Sequence, residues 1–367
     1  MAKPRLLLHV GSHKTGTTTI QDALAGNRPW LEDHGVYYPN PKPYFFAKSD
    51  AHHDLAHALA APGGPDSARV RKFRDHLVEA ARHHDRILLS AEPFFRHEIP
   101  SEEHGREARL AKRRAYIARM ADFFAPFDTE ILLVLRRPDS FVESLYKNAV
   151  VSSPYTGGFD HYIRRGYFRL DYPTRIELFR ERFPTITLRS YESGLKAGIV
   201  PAFFDMIGVP APEIADDAHL RRSLTNKATL WLDRSKAGGR LGKRDLNRRW
   251  HFALVPASEP VFGTKDRSGL WSSTESRDRF LRRSLGAMPT DFFPPVAELP
   301  PQATFTDAEH AAADDAFRAW ERANLGYLRR RELLRVSPYR MDMPSSADAL
   351  RQWIASFRAR AWPEPSE

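Results

Sequence analysis

The chain has 367 residues, 42% apolar and 28% charged, enough for one large α/β domain or one domain with a helical appendage. It contains no cysteine, which excludes disulfides, thiolate metal ligands and cysteine nucleophiles and fits a reducing compartment. The net charge of +10 favours anionic ligands, and nucleic acid, acidic lipid and phosphorylated nucleotides all qualify.

Near the N-terminus, Arg5–Val10 is an apolar run too short for a signal-peptide core and reads as a first β-strand. Further short apolar runs at Arg86–Ser90, Glu130–Leu135 and Thr185–Ser190 read as strands, and helical patterns lie between them. This alternation predicts an α/β fold: a central parallel sheet with helices on both faces. Ala61–Ser67 reads as a loop, and the segment from about 223 to 291 as basic and irregular. Phe292–Gln302 is a proline-rich connector, and 307–334 returns to a helical pattern as a C-terminal extension. We expect residues 1–345 to form a single domain, followed at 346–367 by an amphipathic helix and tail. That helix carries Leu350, Trp353, Ile354 and Phe357 on one face, with Ser345 as N-cap and Asp348 in the first turn. No stretch approaches the roughly 18 apolar residues of a membrane span. No nucleic-acid-binding signature is visible. A soluble, cytoplasmic protein without nucleic-acid partners is expected.

The first strand runs into Gly11, Ser12, His13, Lys14, Thr15, Gly16, Thr17 and Thr18, and then into a helix. Strand, glycine-containing loop and helix make an anion site: free N–H groups at the helix start face the anion, and the dipole adds to the attraction. The fold is therefore expected to be P-loop-like. The nucleoside-triphosphate loop puts its lysine directly after the second glycine. Here Thr17 follows Gly16 and the lysine stands earlier, at Lys14. That position suits a monophosphate and the atom bridging it to a leaving group, without a metal.

The run HVGSHKTGTTTIQ resembles the 5′-phosphosulfate loop of the sulfotransferases that use 3′-phosphoadenosine 5′-phosphosulfate (PAPS), especially bacterial, carbohydrate-sulfotransferase-like members. A second motif strengthens the resemblance. The strand ending at Leu135 is followed by Arg136, Arg137 and Pro138, and Ser144 lies seven intervening residues beyond Arg136. The resemblance implies that Arg136 and Ser144 bind the 3′-phosphate, which a guanidinium can chelate through two hydrogen bonds. Weaker likeness extends through Tyr191–Glu192, Phe203, Phe204, Ile207–Gly208 and Ser223–Asn226. It implies a PAPS-dependent transferase with PAPS as co-substrate and no metal. Nucleotide contacts would come from Lys14, Thr15, Gly16, Thr17, Thr18, Arg136 and Ser144. The acceptor would be a hydroxyl or amine on a carbohydrate or small metabolite.

Glu92 follows the strand at Arg86–Ser90, on the carboxyl edge where open parallel sheets bind ligands. It is the first candidate for the base that deprotonates the acceptor. His13 could donate to the sulfonate or pack the loop. His52, His53, Asp54 and His57 invite metal, acceptor or structural readings, and His83–His84 fits a helix C-terminus. Tyr44, Phe45, Phe46 and Trp271 are available as aromatic platforms. Two rival readings stand beside the transferase: a small-molecule kinase using the same loop, and a nucleotide-binding protein without catalysis.

Overall fold

Five strands form one parallel sheet: β1 (Arg5–His9), β2 (Val36–Tyr37), β3 (Arg86–Ser90), β4 (Asp128–Leu135) and β5 (Thr185–Ser190). Their order is β2-β3-β1-β4-β5, with β1 central. In this computed structural model the described residues are 3–45, 50–99, 102, 104–165, 171–194, 198–213, 223–239, 241–263, 268–286, 288–289, 291–295 and 298–333. The expected amphipathic helix at 346–367 lies outside them.

The apolar runs become strands because both faces of the sheet are covered. Leu6 and Leu8 on one side of β1 and Leu7 on the other are all buried, as are Ile87–Leu89 on β3 and Ile131–Leu135 on β4. On one face Leu7, Leu88 and Leu132 meet Ile20 and Leu24 of the helix Thr17–Gly26 and Phe203 and Phe204 of the helix Ile199–Met206. The parallel order forces crossovers through helices. The α/β architecture expected from the sequence is the one observed, with β2, two residues long, as an added edge strand.

The chain divides into two compact units. The first comprises 1–142, 166–220 and 278–297 and holds the sheet; the second comprises 143–165, 221–277 and 298–367. The second unit corrects the expectation of an irregular basic segment. Residues there form the helices Asn226–Ala237 and Lys243–Phe252, packed with Asp307–Ala323 through Trp231, Phe252 and Phe317. Several of its cations are engaged inside the unit. Arg248 binds Glu332 through two hydrogen bonds and also reaches Glu321, Arg249 pairs with Asp314, and Lys236 donates to the carbonyls of Val150, Ser153 and Tyr155. Thr306 and Glu309 close a capping box at the start of the helix Asp307–Ala323.

Two histidines of the first unit are core residues. His52 is fully buried: its Nδ1 accepts from the Ser90 amide at 3.1 Å, so Nε2 carries the hydrogen donated to the Pro39 carbonyl at 3.1 Å. His9 bonds Ser90 Oγ through Nδ1 at 2.8 Å and stands against Phe203. Burial holds His52 down to about 3 and His9 down to about 4, from an ordinary 6.5. The unfolded chain therefore takes up these protons first as pH falls. Stability is full above about pH 6.5 and falls below it, by about 1.4 kcal/mol per pH unit for each histidine until its folded pKa is reached. The melting temperature should drop by several degrees between pH 7 and 5, with a shallower slope in His52→Gln. A melting temperature constant over that range contradicts the buried neutral pair.

Candidate functional site

β1 ends at His9, and the chain stays pinned to β4 beyond it: the Val10 amide donates to Leu132 O at 3.0 Å, and Ser12 Oγ to Val134 O at 3.1 Å. Gly11 is needed because a Cβ there would stand 2.9 Å from both His9 Nε2 and Thr17 Cγ2. The loop then turns through two left-handed residues, Lys14 at φ 65° and Gly16 at φ 74°. Lysine rarely adopts that conformation, which costs roughly 1 kcal/mol or more, so the surroundings must hold it. Arg136 supplies one restraint by donating from Nη1 to the Lys14 carbonyl at 2.9 Å. The two basic residues predicted from separate motifs, 122 positions apart, thus meet directly.

Arg136 is itself supported from several sides. Its Nε donates to Ser140 Oγ at 3.1 Å, its guanidinium stands over the Tyr191 ring at 4.9 Å, and its carbonyl accepts from Tyr172 Oη at 2.9 Å. Glu192 caps the start of the following helix by accepting from the Arg137 amide at 2.9 Å and from Ser140 Oγ at 2.7 Å. Arg137 does not share Arg136's environment: it forms a two-pronged pair with Asp139 at 2.7 and 3.1 Å. Ser140 and Glu192 as supports of Arg136 went unread in the sequence, since nothing in the spacing links them to it. Ser144 is half-buried on the helix Pro138–Ser152, in the part that belongs to the second unit.

The threonines divide. Thr15 and Thr17 are buried and spend their hydroxyls internally, Thr15 on Ser12 O at 2.6 Å and Thr17 on Glu92. Both hydroxyls are thus held by protein groups. Thr18 is half-buried, as are His13 and Lys14.

Glu92 sits just past β3 and before the short helix Pro93–Arg96, only 7% exposed. It accepts from Thr17 Oγ1, from Gln21 Nε2 at 3.4 Å and from His53 Nε2 at 2.5 Å. Burial pushes its carboxyl up, but the hydrogen bonds from His53 and Thr17 and the neighbouring imidazole charge outweigh burial and hold it well below the ordinary carboxylate range. A carboxylate so held is a poor proton acceptor and a good anchor. Since it only accepts, His53 Nε2 carries the hydrogen of their bond.

His52 explains how His53 comes to be there. The His52 amide donates to the Ser90 carbonyl at 3.0 Å while its ring holds the Ser90 amide, so the start of the helix His53–Ala60 is clamped to the end of β3. His53 is about a third exposed, against complete burial of His52. Adjacent in sequence, the two have opposite environments. His57 pairs with His97 at 2.8 Å and does not join them. Among the described residues no group of three or more histidine, cysteine, aspartate or glutamate side chains is arranged to hold a metal. His83 and His84 lie in the turn after the helix Ala68–Ala80, where His84 stacks on Tyr37. The aromatic platforms are packing residues: Phe45 and Trp271 are buried and Tyr44 packs on Phe73 and His76, while Phe46 lies outside the described residues.

Among the described residues no helix is long and apolar enough to cross a membrane. No protein-family model and no curated protein matches the sequence. Among solved structures, the chain is similar to a sulfotransferase from Alicyclobacillus acidocaldarius, at 14% identity and a TM-score of 0.34, covering 60% of this chain and 87% of that one.

Proposed function

We propose that the protein transfers a sulfonate group from PAPS to a hydroxyl or amine of a small acceptor. The observation that carries this reading is the hydrogen bond between Arg136 and the backbone of Lys14, which brings two cations to one strand-loop-helix turn. The donor has two charged ends, a 5′-phosphosulfate and a 3′-phosphate. Lys14 suits the first, with the loop amides ahead of the helix Thr17–Gly26, and Arg136 suits the second.

In this reading the acceptor oxygen or nitrogen forms a bond to sulfur while the bond from sulfur to the bridging phosphate oxygen breaks. Lys14 neutralises the charge that develops on that oxygen, and His13 donates to the sulfonate. The acceptor's proton goes to His53 Nδ1, with Glu92 holding the imidazole by Nε2. This shifts the base from Glu92 alone to the pair, because Glu92 already accepts three hydrogen bonds and its carboxyl is held low.

Melting shifts test the donor. Adenosine 3′,5′-bisphosphate is expected to raise the melting temperature without metal, since Lys14 and Arg136 supply the countercharge. Stabilisation by ATP with Mg²⁺ alone overturns the reading in favour of a kinase.

A further inference from the structure

The first unit contains a cavity of about 500 Å³ between the helices Arg106–Phe123 and Tyr172–Arg180. Five guanidiniums line it, against one lining carboxylate, Asp171. Arg106, Arg109 and Arg283 are exposed at its rim, whereas Arg113 and Arg175 are buried. Asp171 is partly committed as the N-cap of its helix, accepting from the Thr174 amide. Glu98 pairs with Arg113 at 2.6 Å and reaches Arg109 at 3.9 Å, and Arg106 reaches Glu107 at 3.5 Å and Asp171 at 3.7 Å. Two of the five guanidiniums thus lie below the surface, where charge is costly unless it is paired and hydrogen-bonded.

Two more observations point to a ligand. Ser284 lines the cavity, is 5% exposed, and its Oγ has no hydrogen-bond partner among the described residues. The buried Nε of Arg113 likewise has none. Burial, followed by the repulsion of Arg113, holds Arg175 down to about 9, a shift that a bound anion would reverse. The second cavity of similar size, lined by Ile20, Val134, Ile199 and Phe203, carries one arginine and one aspartate and shows no such excess.

The cavity adjoins the candidate site. Tyr172, next to Asp171, bonds the Arg136 carbonyl, and Arg175 stands 5.1 Å over the ring of Phe95, three residues beyond Glu92. We infer that this arginine-lined cavity binds the phosphate or carboxylate of a small hydroxylated ligand, which, resting on the reading above, is the acceptor. Its volume suits an organic molecule more than a bare ion, and guanidiniums chelate both anions through paired hydrogen bonds.

Calorimetry with glucose 6-phosphate, glucuronate and glucose tests the inference and separates phosphate from carboxylate. At least one of the anions should bind about tenfold or more tightly than glucose. Arg109→Ala and Arg283→Ala, both at the exposed rim, should each weaken that anion roughly tenfold, while Arg82→Ala, a surface control, should leave it unchanged. Adenosine 3′,5′-bisphosphate affinity should be unaltered in all three. Equal binding of glucose and both anions, or anion binding indifferent to both rim variants, overturns the inference even where the bisphosphate binds. Anion discrimination lost in the rim variants, without any bisphosphate binding, upholds the anion site and removes the donor reading instead.

Discussion

Arg136→Ala is expected to weaken adenosine 3′,5′-bisphosphate binding by a factor of roughly 30 to 1,000, on the order of 2–4 kcal/mol for a lost two-pronged charged contact. The geometry adds a second consequence. Arg136 also holds the Lys14 carbonyl, so its loss should loosen the loop at a residue in the left-handed conformation. Adenosine 5′-phosphosulfate, which lacks the 3′-phosphate, should therefore lose some affinity too, but less. Lys14→Gly separates the roles better than Lys14→Ala, because glycine accepts φ 65° without strain. That variant should keep or slightly raise the melting temperature and lose affinity for both nucleotides. If Arg136→Ala reduces the two affinities equally, Arg136 acts on the loop alone and does not read the 3′-phosphate.

What could be read from the sequence follows from what each feature depends on. β1, β3 and β4 are legible because a strand buried on both faces is a largely apolar run, β5 because its Ile and Leu alternate with polar residues, and the phosphate loop because its glycines and threonines are contiguous. β2 is two residues long and has no periodicity to detect. The helices between 226 and 252 escaped because their cations look unpaired in sequence; Arg248 and Arg249 find Glu332 and Asp314 only after the chain has folded back. Within the site, residue types were legible and partnerships were not. Glu92 was readable as a carboxylate at a strand end, but its hydrogen bonds from Thr17, Gln21 and His53 require the end of β3 and two helices to converge. Nothing local distinguishes His52, a clamp on Ser90, from its neighbour His53. The arginine-lined cavity gathers residues from 105 to 284, too far apart for any local signal.

His53→Ala should lower turnover by roughly a hundredfold to ten-thousandfold, the usual worth of a general base, while bisphosphate affinity stays near wild type. The affinity should hold because His53 works on the acceptor and is anchored through Glu92. Added imidazole should restore part of the lost rate in His53→Ala, an effect that a purely structural role does not give. Glu92→Gln should also lower turnover, by less. Glutamine keeps an oxygen to accept from His53 but gives up the charge that stabilises the protonated imidazole. It also places an amide where Thr17 and Gln21 donate, so some loss of melting temperature should accompany it. Thr17→Val, which removes one donor from Glu92 and leaves His53 in place, should cost less turnover than either. The alternative assigns proton removal to Glu92 itself. It predicts near-complete loss in Glu92→Gln, near-normal turnover in His53→Ala, and no response to imidazole. Measuring turnover and bisphosphate affinity for the three variants, once an acceptor is in hand, decides between them. A His53→Ala enzyme at wild-type speed would return His53 to the protein surface and Glu92 to the base.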